Sequence, residues 1–179
     1  MSEELEKEIT AKLTKKGVEV NDSEAVAQLE AKGFGIKEDG RLILKDFEAL
    51  YLMYIKKLNI VHRGRSVTFN EMVDHALKKD SDAWTRFIVY RDLRSRGYTV
   101  KDGFGFGVDF RVYERGEFPS KPAKYLVFSL NEGSKKRIKD FSDSIDKILE
   151  MGKEPIIAVI ERRGEVIYYK VDKMRFRKP

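Results

Sequence analysis

The chain has no cysteine, two histidines, one tryptophan and four prolines among 179 residues. Without cysteine there is no disulfide, no thiolate metal site and no cysteine nucleophile. Both histidines, His62 and His75, fall in the first half, and neither has Asp or Glu at a spacing that also brings a third metal ligand. No cofactor and no metal site are therefore expected. No run approaches the ~18 apolar residues of a membrane-spanning helix. The opening MSEELEKEIT lacks the apolar core of an export signal, so the expectation is a cytoplasmic protein with no membrane partner.

What the chain has in quantity is charge. Charged residues make up 37% and hydrophobic residues 41%, which excludes collagen-like and disordered chains and suits one globular domain or two small ones. The Lys, Glu and Arg load leans towards a thermophilic source. Residues 1–88 hold 15 basic and 16 acidic side chains, leaving 21 and 14 for residues 89–179. A basic second half with interleaved Tyr and Phe suits a phosphate-rich partner, because neutralised phosphates release counterions. Heat-adapted domains are also often basic without binding nucleic acid, so charge alone leaves both readings open.

Periodicity gives the organisation. Ile9, Ala11 and Leu13 alternate as in a strand, and Asp39-Gly40 between short apolar runs has the form of a hairpin turn. Asp22-Ser23 opens a short helix closed by Gly33. A wide apolar stripe (Phe47, Leu50, Tyr51, Tyr54, Ile55, Leu58) predicts a core helix over 46–58. Thr68-x-x-Glu71 has the form of a capping box, and Ser81 is expected to cap a helix that ends at Gly97. The pattern then turns to strands: YTVK, 104–114, 124–130, 155–161 and 165–171, interrupted by a helix from Ser134 to about Met151. The sequence thus reads as an α+β chain with a strand-helix unit over 1–85 and a mixed-sheet unit over 86–179.

Two motifs suggest chemistry and stop short of it. Gly103, Gly105 and Gly107 precede strand residues, not the helix that a phosphate-cradling loop requires, and read better as bulges or close backbone approaches. Asp109 on a strand invites comparison with magnesium-dependent nucleases, yet the following strand offers no second carboxylate before a lysine.

The segments LRSRGYTV (93–100), FGVDFRVYERG (106–116), KYLV (124–127), Lys153 ahead of IIAVI, and EVIYYKV (165–171) occur in this order behind the DFEALYLMYIKKLNIV helix (46–61). Together they make the chain resemble the archaeal tRNA-intron (splicing) endonuclease family, over most of its length from residue 46. The resemblance implies a nuclease-like α/β fold for the second unit. It also implies metal-independent cleavage of precursor tRNA at bulge-helix-bulge junctions, leaving a 2′,3′-cyclic phosphate and a 5′-hydroxyl. In the family a Tyr deprotonates the 2′-hydroxyl, a His protonates the leaving oxygen and a Lys stabilises the transition state.

By this resemblance the Tyr is Tyr113 and the Lys is Lys153. Read without it, Tyr113 can cap a sheet edge and Lys153 can neutralise a helix C-terminus. The family His lies three residues before Tyr125, where this chain has Pro122. Proline has no side-chain proton to give. Lys121 and Lys124 flank the position, but an ordinary lysine titrates near ~10.4, far from the optimum for a general acid at neutral pH. Asp146 stands about where active members carry an Arg thought to grip bulge bases.

These departures point to the structural, non-catalytic subunit of a heteromeric enzyme. Its partners would be precursor tRNA, contacted through Arg111, Arg115, Lys121 and Lys124, and a catalytic paralogue. The resemblance implies dimers through the last strands, EVIYYKV and MRFRKP, and a heterotetramer in which an acidic loop enters a basic cleft. Here that loop, Glu161 to Glu165, is mixed in sign. The alternatives are an active metal-independent subunit and a magnesium nuclease built on Asp109.

Overall fold

The computed structural model describes residues 5–103, 105 and 107–178, which form two compact units, Met1–Lys101 and Asp102–Pro179. In the first, β1 (Ile9–Thr14) pairs antiparallel with β2 (Gly17–Val20), and α1 (Ser23–Ala31) follows, capped by the Asp22 carboxylate on the Ala25 N–H at 2.9 Å. A hairpin joins β3 (Ile36–Glu38) to β4 (Arg41–Leu44) through Asp39 and Gly40, both at positive φ as a tight two-residue turn demands. Then come α2 (Asp46–Tyr54), β5 (Leu58–His62), β6 (Arg65–Ser66), α3 (Phe69–Lys79) and α4 (Ala83–Ser95). The strand order is β3-β4-β2-β1-β5-β6, mixed because β1 and β5 run parallel.

The capping box at the start of α3 forms as the sequence predicts. Thr68 Oγ1 accepts from the Glu71 N–H at 3.2 Å and Glu71 returns the bond to the Thr68 N–H at 2.9 Å. Two helix expectations need correction. The α2 helix stops at Tyr54, and residues 58–62 are a strand paired with β1. Lys56 takes φ 59°, its N–H bonds to the Met53 carbonyl, and the Lys57 N–H reaches back to the Leu52 carbonyl at 2.8 Å. That is a Schellman stop made with lysine where glycine is usual, so the sequence carries no sign of it. The α4 helix begins after Asp82, not Ser81; the Asp80 side chain accepts from the Asp82 N–H.

The second sheet has the order β11-β10-β9-β8-β7. Its strands are β7 (Thr99–Asp102), β8 (Phe110–Tyr113), β9 (Tyr125–Asn131), β10 (Glu154–Ile160) and β11 (Val166–Lys170). Only β9 and β10 run parallel among the described pairings, and α5 (Ile138–Glu150) makes the crossover between them. Ile145 and Ile148 of α5 pack on Val108, Leu126 and Phe128 to form a core cluster. The architecture is therefore mixed α+β with two mixed sheets.

Three further expectations change here. Strand 104–114 shrinks to β8; Phe104 and Phe106 lie outside the described residues, and Gly105 and Gly107 take positive φ in a turn. Gly103 is a close approach, since a Cβ there would sit 2.3 Å from the Val108 carbonyl oxygen. The α5 helix starts at Ile138, four residues after Ser134; Ile138 itself is 85% exposed, and Phe141, Ile145, Ile148 and Leu149 of the later turns meet the core. MRFRKP forms no strand over its described residues.

Candidate active site

Strand direction decides which side chains can meet. Val112 of β8 lies opposite Tyr125, and Tyr125 lies beside Glu154 of parallel β10. The C-terminal end of β8 and the starts of β9 and β10 thus share one end of the sheet. Tyr113 closes β8 there, half-buried, its ring edge-on to Phe118 at 5.0 Å. Lys153 stands between α5 and β10. The helix ends in a Schellman turn, with Gly152 at φ 71° and the Lys153 N–H on the Ile148 carbonyl at 3.2 Å.

The stretch that bears Pro122 runs between them. The Lys124 N–H bonds to the Val112 carbonyl at 3.0 Å, and the Glu154 N–H to the Lys124 carbonyl at 2.9 Å. The Lys153 ammonium donates to the Ala123 carbonyl, one residue past Pro122. Tyr113, Pro122 and Lys153, far apart in sequence, therefore converge on one strand end, with Pro122 exposed. One of the three Lys153 protons is committed to the backbone, leaving two donors for an anion.

A second group gathers at this end. Glu114 Oε2 accepts from the Tyr125 hydroxyl at 3.0 Å and from the Lys124 ammonium at 3.3 Å, and that ammonium sits 5.1 Å from the Tyr125 ring centroid. The Tyr125 hydroxyl bond holds the Glu114 carboxyl below its ordinary range, with Lys124 adding to it. Tyr125 and Glu114 together raise Lys124 well above the ordinary lysine value, so it gives up a proton even less readily than a free lysine. Burial raises the Tyr125 phenol. The one hint in sequence was the adjacency of Tyr113 and Glu114; their link to Tyr125 needed the β8–β9 register.

The other cations differ in availability. Arg115 and Lys121 are exposed, and Lys121 pairs with Glu117 at 2.6 Å. Arg111 is half-buried and its Nε donates to the Asp102 carbonyl at 2.9 Å. Asp109 Oδ2 accepts from the Ser129 N–H at 2.6 Å, fastening β9 to the start of β8. No cluster of three or more His, Asp or Glu with metal-ligand geometry occurs among the described residues. Asp146 pairs with Lys173 at 2.5 Å. The loop after β10 closes as a hairpin, with the Glu161 N–H on the Glu165 carbonyl and Arg162 paired to Glu132 at 3.4 Å. Both histidines belong to the first unit; His75 Nε2 is buried with no hydrogen-bond partner among the described residues, and burial lowers that imidazole's pKa.

The strand-helix unit and the mixed-sheet unit that follows it correspond in order to two domains of one family. The family models give the class: that for the tRNA intron endonuclease N-terminal domain matches residues 9–73, and that for the catalytic C-terminal domain matches residues 83–168. The chain belongs to the tRNA intron endonuclease family. Among its relatives are proteins named tRNA-splicing endonuclease. That of Methanococcus maripaludis is 32% identical over 91% of this chain and 93% of its own. That of Pyrococcus furiosus is 33% identical over 85% and 88%, and that of Thermococcus gammatolerans 35% over 80% and 84%. No helix among the described residues is long and apolar enough to cross a membrane.

Proposed function

We propose that this chain is the structural subunit of a tRNA-splicing endonuclease, holding precursor tRNA and a catalytic paralogue in a heterotetramer. In the complete reaction the ribose 2′-oxygen attacks the adjacent phosphorus while a Tyr takes its proton. The bond from phosphorus to the 5′-oxygen then breaks, and an acid returns a proton to that oxygen. The products are a 2′,3′-cyclic phosphate and a 5′-hydroxyl.

One observation carries the reading. At the strand end where Tyr113 and Lys153 converge, the intervening segment offers Pro122, and no histidine occurs after His75. Lys124, which with Lys121 flanks that position, has its pKa raised by Tyr125 and Glu114. The end is thus equipped to receive a phosphate and not to protonate a leaving oxygen. Arg111, Arg115, Lys121 and Lys124 would contact RNA phosphates. The site of action would be the cytoplasm.

The persistence of Tyr113 and Lys153 at one end favours a second reading, an active metal-independent subunit. Incubating the purified chain with a bulge-helix-bulge RNA in EDTA, alone and with a His-bearing paralogue, separates the two. The structural reading expects cleavage only in the mixture. Efficient cleavage by the chain alone would falsify it, and loss of that cleavage in Tyr113→Phe would establish the second.

A further inference from the structure

The segment after β11 has no part in the site described above, yet its path brings it to the same end of the sheet. Strand β11 runs antiparallel to β10, with Lys170 opposite Ile156, and the Val171 N–H bonds to the Pro155 carbonyl at 3.0 Å. Lys170 pairs with Glu154 at 3.5 Å, one residue beyond Lys153. Val171 packs against the α5 core cluster, and the Lys173 ammonium is held by Asp146 of α5. The backbone is thus anchored as far as residue 173.

Beyond that anchor the composition is specific. Residues 172–178 carry four cations, Lys173, Arg175, Arg177 and Lys178, against the single acid Asp172. Arg175, Arg177 and Lys178 have no ion-pair partner among the described residues and are exposed. Phe176, between two arginines, is 88% exposed, where an aromatic ring gains nothing from burial. Phosphate-binding cations around a bare ring are what a nucleic-acid strand requires: charge for its backbone and a flat apolar face for an unstacked base. A second copy of this chain, itself of net charge +6, would meet like charge at this segment, whereas a polyanion would not.

We propose that residues 174–178 are a grip for RNA beside the Tyr113–Lys153 end, with Arg175, Arg177 and Lys178 on backbone phosphates and Phe176 stacked on a base. The Asp146–Lys173 pair sets where the grip begins. This rests on the reading that the chain works on precursor tRNA.

The test measures binding of a labelled bulge-helix-bulge RNA to the full chain by fluorescence anisotropy across a series of salt concentrations. Four proteins are compared: the parent, Arg175→Ala/Arg177→Ala, Phe176→Ala, and Arg162→Ala/Arg163→Ala as an equal loss of charge at the opposite end of the sheet. The double tail variant should lower the slope of log affinity on log salt by about 1.5, from two phosphate contacts at ~0.7–0.9 each. Phe176→Ala should weaken binding by about 5- to 100-fold with the slope unchanged. Melting temperatures should not move, because the altered side chains are exposed. The inference is overturned, with the functional reading intact, if the parent binds and the tail variants match it or match the opposite-end control. It is equally overturned if Phe176→Ala changes only self-association by size-exclusion chromatography. If the parent itself binds no RNA, the functional reading falls too.

Discussion

Each unit sets a glutamate, a cation and tyrosines close together, and the two sets differ in what surrounds them. In the first unit Glu48 is 2% exposed and accepts from the Gly35 N–H at 2.9 Å and the Lys45 N–H at 2.8 Å. Arg94 donates to the Tyr90 hydroxyl and to the Lys32 and Gly33 carbonyls, and lies 4.0 Å from the Phe34 ring centroid. The Glu48 carboxylate and the Arg94 guanidinium there are spent on the fold. In the second unit Glu114, Lys124 and Tyr125 sit at an open strand end beside Tyr113 and Lys153. A glutamate, a cation and a tyrosine make architecture when enclosed and saturated, and stay within reach of a ligand when one side is left to solvent.

That contrast can be broken most sharply by supplying what the open end lacks. Pro122→His places an imidazole in the segment between Tyr113 and Lys153. Cleavage of a bulge-helix-bulge RNA should rise by ~10²–10⁴, the usual contribution of a general acid, and Tyr113→Phe should cancel the gain. Gel-resolved single-turnover rates in EDTA measure it. No gain in a folded variant would mean that Tyr113 and Lys153 are kept for packing alone.

The next effect is on stability. Glu48→Ala leaves the Gly35 and Lys45 N–H groups without their acceptor, at about 1–3 kcal/mol each. Urea unfolding followed through Trp84, which lies in the same unit, should show a loss of about 2–5 kcal/mol. Glu114→Ala should cost under ~1 kcal/mol, as exposed pairs do. Equal losses would erase the distinction between the units.

Within the second unit, Gly103→Ala should destabilise by more than Gly105→Ala. The first drives a Cβ against backbone, while the second meets open space and only the strain of a positive φ, roughly 1 kcal/mol. Thermal melts of the two variants rank them.

The smallest effect is in pH dependence, and its sign differs between units. Burial raises the Glu48 pKa above 4.5, so its contribution to stability is present below 4.5 and is lost as pH rises through the folded-state value. Hydrogen bonding from Tyr125 lowers the Glu114 pKa, so its contribution is present above 4.5 and is lost as pH falls through the folded-state value. Glu48→Gln should flatten the first dependence in urea titrations at stepped pH. An NMR titration of the Glu114 carboxyl should show a midpoint below 4.5.

Much of the fold was legible where a local rule fixes local structure. Thr68 and Glu71 announce a helix start because both partners of the capping box lie within four residues, and Asp39-Gly40 announces a hairpin because few residues tolerate positive φ. The stop at Lys56 was not legible, since nothing in a lysine marks a left-handed conformation; the neighbouring strand β5 and its pairing with β1 impose it. The late start of α5 had the same cause, because the turns that meet a core cannot be read without the core.

The site divides in the same way. Residue identities alone determined that Tyr113 and Lys153 are present, that proline stands three residues before Tyr125, and that cations gather in the second half, because these are properties of side chains one at a time. Only the tertiary structure decided that the three positions meet at one strand end and that Glu114 and Tyr125 lock Lys124. It also decided that the basic segment after β11 arrives at the same place. Those are consequences of strand direction and register, which couple residues forty positions apart and leave no trace in local sequence.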